Sequence, residues 1–309
     1  MNPDHICFAT YCDSIDGLAN AITLAKSIRK YAGRLVQSEL LFTAPENFRH
    51  ITANNSETLE KYSIKLEFFP IPDIAGKWFY GDKPYAAAAA EKYLRDQNRS
   101  SVLIWIDNDS VVIGEPSELL LSEAEELAYV PVMHNRAGSA IGSLPDELWG
   151  RIYEMQALTD DMLFPMTTPA DRQEIRAYFH CGLLALRPEL GIMKAWAEEF
   201  ERIGSDSAIV KMCENDRTRK VFLHQHVLTG TILHRVRRGS IRELSERYNY
   251  PILFEQQYDA GRSFRSLKDV AVLRTVVSLD RIGPDWHKLL DGPPDILDWL
   301  ITHLPVARP

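Results

Sequence analysis

The stretch Val102–Ile113, reading V-L-I-W-I-D-N-D-S-V-V-I, limits the fold more than any other in the chain. Its first five residues are apolar without interruption, the pattern of a strand covered on both faces. Asp107, Asn108 and Asp109 then fall where an interior strand should carry no charge. In an extended backbone, side chains two apart point the same way, so both carboxylates would face one point. Two acids on one spot repel each other and lose hydration unless a cation sits between them. A hard divalent ion, Mn2+ or Mg2+, with oxygen ligands and substrate phosphates would serve, and the pair is the candidate metal site. The plain alternative is Asp-Asn-Asp turn chemistry at a strand end.

The elements around this stretch repeat a β-then-α order. His5–Thr10 is an apolar strand, and Tyr11–Ile15 a polar loop. Asp16–Tyr31 places Leu18, Ile22, Ala25 and Ile28 on one helical face, with Gly33 as the stop. Glu39–Phe42 and Lys65–Phe69 are further strands, with a short helix near Pro45–Ile51 between them. Strands alternating with helices predict an α/β domain with a mainly parallel central sheet and helices on both faces. In such sheets ligands bind beyond the carboxyl ends of the strands, where Thr10, Tyr11 and the acid pair all lie. Lys83 precedes Pro84 and a five-alanine helix; a lysine beside a helix N-terminus suits a phosphate, and a solvated lysine is the plain alternative.

Downstream, Glu118–Leu127 reads as a helix, Ala128–Met133 as a strand, and residues 139–175 as a long irregular insertion. Residues 182–186 read as a strand, Glu189–Ile203 as a helix with an apolar stripe, and Lys211–Lys220 as a polar surface connection. His224 and His226 flank Gln225 at what looks like a helix start, which argues against a metal and for a cap or substrate contact. The arginine-rich 234–242 segment reads as a solvated face. A turn at 246–252, a late strand at Ala271–Val277 and an amphipathic helix at Pro294–Leu304 complete the chain.

Of the 309 residues, a net charge of -8 argues against broad nucleic-acid binding, which needs a basic face. Cys7, Cys12, Cys181 and Cys213 form no C-x-x-C pair and read as reduced, buried thiols. With no secretory signal and no apolar run long enough to span a bilayer, a cytoplasmic protein without a transmembrane segment is expected.

The ordered set of motifs resembles the GT-A nucleotide-sugar glycosyltransferases, in particular the glycogenin-like and lipopolysaccharide galactosyltransferase-like branch. Phe8-Ala9-Thr10-Tyr11 resembles its first-strand base contact, Lys83 a basic phosphate contact, and Asp107-Asn108-Asp109 its D-x-D. Phe179-His180-Cys181-Gly182 with Leu183–Pro188 resembles F-N-A-G-v-x-x-x-R-P. His224-Gln225 with Leu228-Thr229 resembles D-Q-x-x-L, and Tyr248–Pro251 the Y-N-Y-P that follows. The resemblance implies a single GT-A-like (Rossmann-like) domain at 1–255 with a C-terminal extension at 256–309 packed on it. It implies metal-dependent, retaining transfer from a nucleotide diphosphate sugar, UDP-linked, to a hydroxyl of a glycan, lipid or small molecule. The carried-over roles are Thr10, Tyr11, Lys83, Asp107, Asn108, Cys181 and Gly182 for the donor, Asp107 and Asp109 for the metal, and His180, His224 and Gln225 for catalysis.

Three positions depart from that pattern. His180 stands for the family's Asn, and His224 for its acid before Gln. Counting back from Trp286 puts Ser278, with Asp280 close by, where the family has the histidine that completes its metal site. Two alternatives stay open. One is a haloacid-dehalogenase-like phosphatase using Asp107 and Asp109, with Asp160-Asp161 imitating its later acids. The other is a sugar-nucleotide-binding module without catalysis.

Overall fold

The computed structural model describes residues 6–97, 102–251, 266–275 and 285–304. The main sheet is built around β4 (Val102–Ile106), which is buried at every residue. β1 (Ile6–Tyr11) pairs with it in parallel on one side, and β2 (Glu39–Pro45) and β3 (Ile64–Phe69) continue outward in parallel. On the other side β9 (Phe179–Leu186) runs antiparallel between β4 and β6 (Leu127–Pro131), and β10 (Ile241–Glu243) closes the edge. The order β10-β6-β9-β4-β1-β2-β3 is a mixed, mainly parallel sheet, as the β-then-α pattern predicts.

Both faces are covered, which is why β4 reads as an unbroken apolar run. Cys7, Ala9, Leu103 and Trp105 enter one core layer, while Ile6, Phe8, Val102, Ile104 and Ile106 enter the other. The first layer is closed by α4 (Lys83–Gln97), α5 (Glu147–Met155), α6 (Ile192–Gly204) and α8 (Arg217–Arg235). The second is closed by α1 (Ile15–Tyr31) and the short helices α2 (Arg49–Ala53) and α3 (Ser56–Lys61). In α4 the alanines at 86, 87 and 90 are fully buried, and the small side chains let the helix lie close to the sheet. Glu91, also fully buried there, accepts the Met193 and Lys194 amides at 3.1 and 3.0 Å and so caps α6, whose own N-cap is Gly191.

A second, small sheet stacks β11 (Tyr250–Pro251), β12 (Val272–Arg274) and β5 (Ser110–Val112). β12 runs antiparallel to β5 with Arg274 opposite Ser110. α9 (Pro294–His303) packs back on the same body through Trp299, whose ring meets Tyr31 of α1 edge-on at 5.6 Å.

Several expected elements differ. Glu118–Leu127 is not a helix: a 3-10 turn at Ser117–Leu119 is followed by irregular chain leading into β6. Its carbonyls find arginines in place of helical amides, Glu118 and Leu120 from Arg242, Ser122 and Glu125 from Arg187. Arg242 therefore belongs to a half-buried network, not a solvated face. Lys211–Lys220 is not a surface connection but the end of α7 (Ser207–Cys213) and the start of α8. The N-cap acids Asp206 and Asp216, which accept the first free amides, were the overlooked signal. The 139–175 insertion contains α5 and the hairpin of β7 (Pro165–Thr167) and β8 (Glu174–Arg176). His224–His226 lies well inside α8, so it caps nothing. Ser278, Asp280 and the end of the late strand lie outside the described residues.

Candidate functional site

The sheet order reverses direction between β1 and β4, since β1 leads outward to β2 and β3 while β4 leads to β9. A crevice beyond the carboxyl ends of two such strands is the usual ligand site of an open α/β sheet. Tyr11 ends β1 and Asp107 follows β4, so both border that point. Asn108 ties them together: its amide donates to the Tyr11 carbonyl at 2.7 Å and lies 3.3 Å from the Gly17 carbonyl in α1.

The acid pair is not in extended chain. Ser110 donates its amide to the Asp107 carbonyl at 3.2 Å, so Asp107–Ser110 is a turn, as Asp-Asn-Asp chemistry favours. Both carboxylates nevertheless reach one cation, Arg274 of β12. Its Nε lies 3.0 Å from Asp109 Oδ2 and its Nη2 3.7 Å from Asp107 Oδ2. The amide and hydroxyl of Thr275 both donate to the Asp109 carbonyl, at 2.7 and 3.1 Å, locking β12 against the turn. On the other side Lys83, the first residue of α4, places Nζ 2.6 Å from Asp107 Oδ1 and 3.7 Å from Cys181 Sγ. Burial alone would lower the Lys83 pKa, but the Asp107 carboxylate outweighs it and holds the ammonium above its ordinary value. For Arg274 burial also opposes the charge, and Asp109 and then Asp107 outweigh it, so the guanidinium stays charged.

Strand β9 supplies the floor. Asp107 donates its amide to the Gly182 carbonyl at 2.8 Å. A Cβ at Gly182 would lie 2.5 Å from Asp107 Oδ2 and 2.6 Å from His180 Cε1, so the carboxylate's position requires glycine there. His180 packs beside this cluster, with Nδ1 3.0 Å from the Gly182 amide and Nε2 2.5 Å from Arg274 Nη1. Burial first, then Arg274 and Lys83, push its pKa well below the ordinary value, so the ring is neutral.

The remaining expected residues lie behind this rim. His224 and Gln225 are buried in α8, and both engage Cys181. His224 Nε2 is 3.2 Å from the thiol, and Gln225 Oε1 accepts the Cys181 amide at 3.2 Å. Thr10 is buried within β1, and the Tyr11 hydroxyl donates to Asp82, joining the end of β1 to the turn before α4. His226 faces away, packed on Trp149 and Tyr178 between the carbonyls of Phe222 and Ala137, as a core histidine. Asp160 and Asp161 sit in an exposed 3-10 turn and do not join the acid pair. Arg274 was missed from the sequence. Its signal was of the same kind as that of Asp107: a charge inside A-V-L-R-T-V-V, an otherwise apolar strand.

The sheet order, the antiparallel β9 beyond β4 and the charged cluster at the point of reversal are those of a GT-A-like α/β domain. The family model of the Rhodobacterales glycosyltransferase domain matches residues 12–235, most of the chain. The chain belongs to that family and is a glycosyltransferase. Among solved structures it is similar to the bifunctional glycosyltransferase WbbM in its apo form. That match has 12% identity and a TM-score of 0.52, over 96% of this chain and 51% of that one. It is also similar to the galactosyltransferase LgtC in complex with donor and acceptor sugar analogs, with 14% identity and a TM-score of 0.45, over 87% and 86%. The glycosyltransferase GlyE of Streptococcus pneumoniae TIGR4 matches at 14% identity and a TM-score of 0.44, over 97% and 60%. The first of these likenesses speaks for the fold alone, and the other two carry no argument. No curated protein matches in sequence. No helix among the described residues is long and apolar enough to cross a membrane.

Glycosyltransferases of this fold commonly use a divalent metal, so the fit of the acid pair to one can be tested. Asp109 Oδ1, buried without a partner, favours a cation. Against it, the two carboxylates are already matched by two cations of the chain, Lys83 and Arg274. A divalent ion about 4 Å from one guanidinium would meet roughly 8 kcal/mol of repulsion at an effective dielectric near 20. Among the described residues no three His, Cys, Asp or Glu side chains converge on a metal position. Among the described residues of β12, the side chain that reaches the pair is Arg274. As arranged, the described residues do not fit a resident divalent ion.

Proposed function

We propose that this glycosyltransferase moves a sugar from a nucleoside diphosphate sugar, with UDP as the nucleotide, to a hydroxyl of a glycan, lipid or small-molecule acceptor. The observation that carries this is the placement of Lys83 and Arg274, held by Asp107 and Asp109, at the point where the sheet reverses. Fixed cations in a half-buried cleft suit a diphosphate, because they need little reorganisation when charge develops on it. In the transfer the anomeric C–O bond breaks and its electron pair stays on the diphosphate oxygen. The acceptor oxygen forms the new bond to the anomeric carbon, and its proton passes to the departing diphosphate. Lys83 and the N-terminus of α4 meet the growing charge on that leaving group. His180, neutral at the cleft wall, contacts the donor sugar or the acceptor hydroxyl as a hydrogen-bonding group. Gln225 and His224 act on the donor pocket by holding Cys181 and Gly182 in place.

Thermal melts across UDP-, GDP- and dTDP-sugars test the donor class. A ligand that binds only the folded chain raises Tm by mass action. A rise with UDP-sugars and not with the free sugars supports the reading; no rise with any nucleotide sugar counts against it.

A further inference from the structure

The acid pair's charge is answered from inside the chain, by cations whose positions are firmly set. Arg274 is fixed three ways: by β12's register on β5, by Thr275 bonded to the Asp109 carbonyl, and by ion pairs to both carboxylates. Lys83 comes from the opposite side, at the start of a fifteen-residue helix whose N-terminus adds partial positive charge. Neither cation is used up. A guanidinium carries more N–H donors than Asp109 and His180 occupy, and an ammonium more than Asp107 takes. The Arg274 side chain is 28% exposed, so the arginine is not sealed in the core.

We propose that Arg274 and Lys83 take over the work that a divalent ion does for a donor diphosphate, so that donor binding and bond cleavage proceed without metal. Asp107 and Asp109 then serve to hold these two cations. The inference rests on the nucleotide-sugar reading above and deepens it. Guanidinium is well suited to this role, since it stays charged at any working pH and grips phosphate oxygens in pairs. Lys83 receives the electron pair's charge on the diphosphate oxygen as the anomeric bond breaks. The neutral His180 keeps the guanidinium aimed without adding a third positive charge.

The test is calorimetric titration of the full chain with UDP, GDP and dTDP, in EDTA and again in excess Mn2+. The diphosphate that binds is expected to do so equally in both buffers, within about threefold. Arg274→Gln and Lys83→Gln should each weaken it about tenfold or more in EDTA, the scale of a lost charge-assisted hydrogen bond. Arg274→Lys, which keeps the charge, should retain more of the affinity than Arg274→Gln, and melting curves on each variant report whether it folds. Binding that requires Mn2+ would overturn the inference and leave the nucleotide-sugar reading standing. Failure of every nucleoside diphosphate to bind in either buffer would overturn that reading, and the inference with it.

Discussion

Gly182→Ala is the smallest change that should damage the site, and its size follows from the geometry. The added methyl would lie 2.5 Å from Asp107 Oδ2 and 2.6 Å from His180 Cε1, where ordinary contact begins near 3.4 Å. Something must therefore move by about 0.9 Å. The backbone resists, because the Asp107 amide is bonded to the Gly182 carbonyl at 2.8 Å and β4 and β9 are laddered through the core. The Asp107 carboxylate is the softer part, so it swings away and loosens its 2.6 Å pairing with Lys83. Overpacking of this kind costs about 1–3 kcal/mol of stability. Misplacing a charged group by about 1 Å in a reacting site costs on the order of a hundredfold in rate. Melting curves and initial transfer rates on the same preparation read both effects. A variant that melts a few degrees lower and transfers about a hundredfold more slowly is expected. An Ala variant with unchanged rate would show that the carboxylate's position does not matter to the chemistry.

Other consequences can be measured independently. Lys83→Ala should weaken the nucleoside diphosphate sugar far more than the bare nucleoside if, as proposed, its charge meets the phosphates; equal loss for both ligands in calorimetry would remove that role. Arg274→Gln strands Asp109, and loss of one partner from a buried pair costs about 3–5 kcal/mol, reduced here to about 1–3 by the arginine's partial exposure. Arg274→Gln/Asp109→Asn should then be more stable than Arg274→Gln alone, and a double-mutant cycle in denaturant with no coupling would refute the pairing. Acid should also destabilise the fold. Burial, the largest influence, holds His226 down to about 4, below the unfolded value near 6.5, and His180 and His224 are pushed the same way. Below about pH 6.5 the unfolded chain binds more protons, so this stability is present above that pH and fades as pH falls toward 4, about 3 kcal/mol for His226 alone. A Tm that holds or rises between about pH 7 and 5 would contradict this.

Much of the architecture was legible because both faces of the sheet are covered. Apolar runs such as Val102–Ile106 admit few placements, and amphipathic stripes such as that of α1 mark the helices that close the layers. The turn at the acid pair was legible as a place where charge interrupts a core strand. What charge would answer it was not. Arg274 comes from far along the chain, and the register between β12 and β5, with the Thr275 bonds to the Asp109 carbonyl, brings it to Asp109. Likewise, Glu118–Leu127 has helical composition, yet arginines at 187 and 242 claim its carbonyls, a tertiary effect that local propensity does not contain. His224 and His226 read alike in sequence, and only the packing of α8 sends one to Cys181 and the other to Trp149.

On the proposed reading, this site breaks the bond between a sugar and a nucleoside diphosphate. The most direct measurement is mass-spectrometric detection of products from UDP-, GDP- and dTDP-sugars incubated with the full chain and a panel of hydroxyl acceptors, Lys83→Gln serving as control. The expected result is that one nucleotide class yields its nucleoside diphosphate, together with free or transferred sugar, and that Lys83→Gln suppresses this strongly. Release of inorganic phosphate from phosphate monoesters, with every nucleotide sugar left intact, would contradict it.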